Sequence, residues 1–147
     1  MKVLAQTEKS DIATVYVAET SENKKLEFVE SLQPPLPVEE KWVLIISTLY
    51  GCPVKCSFCD AGKFYYGKVS EADLFAQIDY LVKERFGGNS IPVKKFKIQF
   101  ARMGEPAFNR AVLEVLRKLP GLYDLPEFTP SLSTIGPVGT EKFLEDL

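Results

Sequence analysis

Trp42 to Leu49 (WVLIISTL) is a continuous apolar run, broken only by Ser47 and Thr48. A strand covered on both faces reads this way, and such strands belong to parallel sheets. The residues that follow alternate between helix and strand patterns. Ser70-x-x-Asp73 resembles a capping box, with Asp as a shorter stand-in for Glu or Gln. Leu74, Ile78, Leu81 and Val82 form an apolar helical stripe, widened by Phe75 and Phe86, and Gly87-Gly88 ends it. Lys95 to Ala101 alternates, with Phe96, Ile98 and Phe100 on one face and Lys97 and Gln99 on the other. Arg110 to Leu119 predicts a second helix, with Asn109 as its candidate cap and Val112, Leu113 and Leu116 on its apolar side. Ser131 to Thr134 predicts a third strand, and Thr140 opens a third helix carrying Phe143, Leu144 and Leu147.

Upstream, Ile12 to Ala18 and Leu26 to Leu32 read as two strands of a hairpin around the polar turn Ser21 to Lys25. Gln33 to Val38 (QPPLPV) holds three prolines and reads as a stiff connector. The expected fold is α/β: about three βα units of parallel sheet preceded by an N-terminal β-hairpin. Residues 1–38 are expected to form the hairpin and connector, and residues 39–147 the βα units. Three parallel strands would leave a sheet edge uncovered. The short last helix points the same way, to a fragment or one chain of a split product that a second chain completes.

Composition narrows the chemistry. Among the 147 residues there is no histidine, which removes His-based acid–base catalysis, Ser-His-Asp triads and imidazole-bound zinc. The formal net charge is −2, against the basic excess of a generic nucleic-acid or membrane-surface binder. Met1 to Ser10 is polar and carries no signal-like apolar stretch, and Trp42 to Ile46 is too short to cross a bilayer. All three cysteines lie within eight residues, an odd cluster that does not read as a disulfide framework. A reducing cytoplasm is the expected compartment.

Those cysteines are Cys52, Cys56 and Cys59, spaced Cys-x3-Cys-x2-Cys just past the end of the buried strand. Ligand sites in parallel α/β sheets lie at that end. Iron–sulfur clusters are normally held by four cysteines. Three leave one iron open to a small molecule, and an open position marks a catalytic metal. Structural zinc would need a fourth ligand, for which only Asp60 is at hand. Three unrelated buried thiols are the remaining alternative, made improbable by the pattern.

The spacing, with the aromatic Phe58 before the last cysteine, resembles the Cys-x3-Cys-x-aromatic-Cys signature of the radical S-adenosylmethionine (SAM) superfamily. The resemblance implies a [4Fe-4S] cluster on Cys52, Cys56 and Cys59. It implies that SAM chelates the open iron, that reductive cleavage gives a 5′-deoxyadenosyl radical, and that a donor such as flavodoxin or ferredoxin supplies the electron. Met103-Gly104-Glu105-Pro106 is similar to the family's glycine-glutamate motif, so Gly104 and Glu105 are expected at the methionyl amine. Read without the resemblance, the same residues are a helix start with a favourable acid and a proline. Ser133-Thr134-Ile135-Gly136 resembles the family's next strand end, with Ser133 in the SAM-contacting place; a plain turn is the other reading.

Within the superfamily the likeness is greatest to the adenine-C2 RNA methyltransferases. Val29 to Leu32, Gly62, Gln77 and Asn109 fall at places similar to that group's, and RNA is the substrate it implies. That group also uses two further cysteines. Ile45 stands near the place of one, and this chain has none corresponding to the other, so a methyl-cysteine relay is not expected. Glu30 aligns loosely with a glutamate of the group. The family's barrel has six βα units, so the resemblance implies that residues 39–147 form the N-terminal half of a radical SAM barrel. Phe64, Tyr65 and Tyr66 are expected to shield the cluster or to fill core, and Lys94, Lys95 and Lys97 to form a solvated or barrel-lumen patch.

Overall fold

The computed structural model describes residues 1–147. Eight strands and three helices run in the order β1 (Lys2–Gln6), β2 (Ala13–Glu19), β3 (Lys25–Ser31), β4 (Lys41–Ile46), β5 (Leu49–Gly51), β6 (Tyr65–Lys68), α1 (Glu71–Phe86), β7 (Lys95–Phe100), α2 (Ala111–Leu122), β8 (Glu127–Leu132) and α3 (Thr140–Glu145). Six strands form one mixed sheet in the order β1-β2-β3-β4-β7-β8. β5 and β6 form a separate two-stranded ribbon.

The expected hairpin is β2 and β3, paired from Ala13↔Ser31 to Glu19↔Lys25. It stands in the main sheet, because β3 pairs antiparallel with β4 through Val29↔Ile45 and Ser31↔Val43. Dividing the chain at Val38 therefore remains a proposal, across which the ladder of hydrogen bonds is continuous. The parallel part is β4-β7-β8, in register from Lys41↔Lys95 to Ile46↔Phe100 and from Lys95↔Glu127 to Phe100↔Leu132. All three strands end on the same edge of the sheet.

Period-2 patterning decides the faces. Trp42, Leu44 and Ile46 lie with Phe96, Ile98 and Phe100 in the buried core beneath α1 and α2. Tyr16 stacks on Phe28 at 5.2 Å, and Tyr80 of α1 meets both rings edge-on. The opposite face carries Val43, Ile45, Lys97 and Gln99, of which the last three are only half-buried.

Five details differ from the sequence expectation. The run Trp42–Leu49 is not one strand: β4 stops at Ile46, the chain crosses at Ser47-Thr48, and Leu49 begins β5, which pairs with β6 outside the main sheet. β1 forms from the polar N-terminal stretch and pairs with β2, its amides finding a ladder that no apolar pattern advertised. α2 runs past Pro120, because proline near a helix end forfeits little and the Tyr123 N–H still reaches the Leu119 carbonyl at 3.3 Å. β8 starts four residues earlier than expected and ends two residues earlier. It accommodates Pro130 because one of its edges has no partner strand. At α1 the Ser70 hydroxyl caps the Asp73 N–H as expected, but the Asp73 carboxylate accepts from the Ser70 hydroxyl and not from its backbone.

Candidate functional site

Between β4 and β5 the chain makes a short crossing at Ser47-Thr48, and both residues are fully buried. Backbone groups that leave a sheet in the core need partners, and here side chains supply them. Gln77 of α1 accepts the Ser47 N–H at 2.8 Å and donates to its carbonyl at 3.1 Å. The Ser47 hydroxyl donates to the Glu27 carbonyl and accepts the Met103 N–H at 3.1 Å. The Met103 carbonyl accepts the N–H groups of Thr48 and Leu49. Asn109 donates to the carbonyls of Thr48 and Val69, each at 2.8 Å, and its Oδ1 accepts the Ala111 N–H at the start of α2. The crossing that aims the cysteine loop is thus tied to α1 and to the segments after β7.

The loop itself is closed by the β5–β6 ribbon. The Cys52 N–H donates to the carbonyls of Ala61 (2.7 Å) and Phe64 (3.1 Å). Cys59 N–H reaches the Cys56 carbonyl at 3.1 Å, and a short 3-10 turn spans Asp60–Lys63. Gly62 fits against Lys55, where a Cβ would come within 2.7 Å of the Lys55 Cα. Cys52 and Cys56 are half-buried, Cys59 is exposed, and all three are free thiols. Cys59 lines two adjoining cavities. One, of about 440 Å³, is walled by Phe58, Phe64, Glu27, Arg102 and Met103; the other, of about 300 Å³, also takes in Cys56. No three Cys, Asp or Glu side chains are gathered as around one metal ion. Asp60, the only fourth ligand available to zinc, is exposed and paired with Lys63 at 2.6 Å, which holds its carboxyl below the usual range.

The Met103–Pro106 loop lies directly against β5. Gly104 has φ +96°, and a Cβ there would sit 2.4 Å from Leu49 Cβ. Only glycine meets both demands. Glu105 is buried; one carboxylate oxygen accepts the Ala107 N–H and the other accepts the Ile135 N–H at 3.0 Å. That second bond joins this loop to the Ser133–Gly136 segment. Ser133 is exposed at the end of β8, where its hydroxyl accepts from Gln99 at 3.2 Å. Phe58 is 90% exposed, Tyr66 67%, and Phe64 and Tyr65 41% each, so these rings form a rim and not core.

Several contributors had little sequence signal. Ser47, Tyr50 and Arg102 are ordinary residues of a crossing, a strand and a loop until the partners are known. Arg102 bridges to Glu27 with two N–H groups on one carboxylate oxygen, at 2.9 and 2.6 Å, beside the larger cavity. The Tyr50 hydroxyl donates to the Asp73 carboxylate at 3.2 Å and lies 3.1 Å from the Thr20 hydroxyl, and burial pushes its phenol up to about 12. Glu30 is held by Trp42 Nε1 at 2.7 Å and by the Arg85 guanidinium, on the helix-covered face of the sheet. Its carboxylate bridges β3, β4 and α1. Lys94 and Lys95 are exposed and paired with Glu40 and Glu127.

No family model matches the chain. Among curated proteins it is similar to a probable dual-specificity RNA methyltransferase RlmN of Chlorobium phaeobacteroides, 28% identical over 127 residues, covering 80% of this chain and 32% of that protein. The corresponding protein of a Synechococcus species is 26% identical over 136 residues, covering 92% of this chain and 36% of its own length. That of Petrotoga mobilis is 30% identical over 108 residues, covering 73% and 28%. The chain spans about a third of the length of the curated relatives it matches. Among solved structures, the crystal structure of a radical SAM methyltransferase from Sphaerobacter thermophilus aligns with a TM-score of 0.75 at 19% identity, over 97% of this chain and 41% of that one. At that identity the likeness is one of fold.

Proposed function

We propose that this chain, which resembles the radical SAM RNA methyltransferases over about a third of their length, supplies the cofactor-holding part of such an enzyme. In this reading Cys52, Cys56 and Cys59 hold a [4Fe-4S] cluster. Gly104, Glu105 and Ser133 position SAM, Phe58 stands at the rim, and RNA is the substrate. One observation carries the reading: the cysteine loop, the Met103–Pro106 loop and the Ser133–Gly136 segment lie at one end of three parallel strands, linked through Gly104 against Leu49 and through Glu105 to Ile135.

The donor chemistry fits. The loop offers three free thiols, two of them (Cys56 and Cys59) lining open cavities, and no imidazole. A cubane spreads its ligands over separate irons, so three thiolates need not meet as they would around one zinc. When bound, such a cluster with SAM supplies reductive carbon–sulfur cleavage and a 5′-deoxyadenosyl radical. The chain's own residues do the positioning. Each Glu105 oxygen accepts one backbone N–H and retains a lone pair, enough to take a charge-assisted bond from an ammonium group. Gly104 brings backbone to that place without a side chain. Ser133 offers a hydroxyl on the half-buried face beyond Gln99. Ile45 cannot carry a methyl group as a cysteine would, so a methyl-cysteine relay forms no part of the proposal. A reducing compartment suits the free thiols, and no helix is long and apolar enough to cross a membrane.

Anaerobic reconstitution with iron and sulfide tests the reading. It expects about four irons per chain, an EPR signal that shifts on adding SAM, and loss of iron in Cys59→Ala. Unchanged iron in Cys59→Ala, or zinc in place of iron, overturns the assignment. Iron uptake without 5′-deoxyadenosine formation identifies a non-catalytic iron–sulfur module instead.

A further inference from the structure

The ribbon that closes the cysteine loop carries an aromatic surface that core packing does not use. Phe64, just before β6, and Tyr66 within it stand two residues apart with their rings stacked at 5.6 Å and planes 22° apart. Tyr66 is 67% exposed, and Phe58 across the loop 90%. The backbone that carries Phe64 is held in place. The Phe64 carbonyl accepts the Cys52 N–H at 3.1 Å, and Gly51 lies so near it that a Cβ would come within 2.0 Å of that oxygen. Phe58 and Phe64 both wall the cavity that holds Cys59.

The charge around these rings opposes that of the whole chain. From Gly51 to Ser70 there are three lysines (Lys55, Lys63, Lys68) and one acid (Asp60), so the segment is +2 where the chain is −2. Lys63 is taken by Asp60, whereas Lys55 and Lys68 make no ion pair. Lys68 lies opposite Leu49 in the ribbon. Exposed ring faces interleaved with free cations are the chemistry that binds unpaired nucleotides, bases stacking on the rings and phosphates meeting the lysines.

Resting on the RNA reading above, we infer that the β5–β6 ribbon is the RNA-docking element: Phe64 and Tyr66 stack an unpaired base and Lys55 and Lys68 hold its flanking phosphates. A nucleotide stacked there lies beside the cavity that holds Cys59. Duplex RNA, whose bases are already stacked on one another, offers these rings nothing.

Fluorescence anisotropy with a labelled, unstructured RNA of about a dozen nucleotides, and with the same strand as a duplex, tests this on the 147-residue chain. The unpaired strand should bind more tightly than the duplex. Tyr66→Ala and Phe64→Leu should each weaken it about five- to a hundredfold, with iron content after reconstitution unchanged, and Tyr66→Trp should retain it. Lys55→Gln and Lys68→Gln should each flatten the slope of log affinity against log salt by about 0.7. If the wild type binds RNA and both ring variants bind equally well, the ribbon is not the docking element, though the RNA reading stands. If the wild type binds no RNA of either form, the RNA reading itself falls. If Tyr66→Ala leaves RNA binding intact but slows cluster reduction by flavodoxin, the surface belongs to a protein donor and the inference is overturned.

Discussion

Gln77 grips Ser47 with both ends of its side chain: its Oε1 accepts the Ser47 N–H at 2.8 Å and its Nε2 donates to the Ser47 carbonyl at 3.1 Å. A helix on one side of the sheet thereby fixes the backbone from which the cysteine loop departs. Both groups are fully buried, so water cannot replace the amide. Gln77→Leu, close in size, should lower the unfolding free energy by about 2–4 kcal/mol, the cost of two orphaned backbone groups. Urea denaturation measures this, and hydrogen exchange at the Cys52 amide should quicken with it. Unchanged stability would mean that the crossing finds other partners.

Gly104→Ala combines a left-handed backbone with a clash. The new Cβ would meet Leu49 at its Cβ and its backbone nitrogen, 2.4 and 2.8 Å away. Shortening Leu49 to Ala leaves both atoms in place, so Leu49→Ala should not rescue the variant. We expect a loss of at least about 1–3 kcal/mol from the backbone alone. Recovery of stability in the double variant would refute this packing account.

Tyr50 makes stability sensitive to alkali. Burial raises its pKa from 10.0 to about 12, against a smaller lowering by the Thr20 hydroxyl, while the Asp73 carboxylate raises it further. Because the folded value lies above the unfolded one, the stabilisation is complete below pH 10 and is lost as pH climbs through 12. Tyr16, also raised to about 12, acts in the same window. Tyr50→Phe should be less stable than wild type at neutral pH, where it lacks two hydrogen bonds. Between pH 10 and 12 it should lose less, by roughly 2–3 kcal/mol. Parallel stability–pH curves for the two proteins would rule this out.

Arg85 guards a buried charge. Glu30 keeps 8% side-chain exposure and Arg85 30%, so Arg85→Met strands the carboxylate with only Trp42 Nε1. The expected cost is about 2–3 kcal/mol, below that of a fully buried pair because water reaches Arg85. Glu30→Gln added to Arg85→Met keeps an acceptor for Trp42 and removes the charge, so the double variant should regain part of the loss. A double variant less stable than Arg85→Met would contradict this.

Much of the site was legible in one dimension because its parts are local. Three cysteines in eight residues must share a loop, and Gly104-Glu105 had to follow the strand whose alternation ends at Phe100. The N-cap at Ser70 and the stop at Gly87 were equally plain, since both are set within a few residues by hydrogen bonding and a positive φ of 75°. Strand β1 escaped notice because its residues are largely exposed and its stability comes from pairing with β2. The early start of β8, with Pro130 inside it, was hidden for the same reason: proline is tolerated only because a neighbour is missing on one side, and neighbours are not written locally.

The amino-acid order by itself determined the helices, the hairpin, the cores of β4 and β7 and the grouping of the thiols on one loop, because helix stripes, strand alternation, caps and close cysteine spacing act over a handful of residues. Only the tertiary structure decided what those thiols are aimed at. The Ser47–Gln77 clamp, the seat of Gly104 on Leu49 and the Glu105–Ile135 bond join residues at least 30 positions apart. Such contacts arise when separate elements pack and must satisfy one another's buried polar groups, which no local pattern of residues encodes.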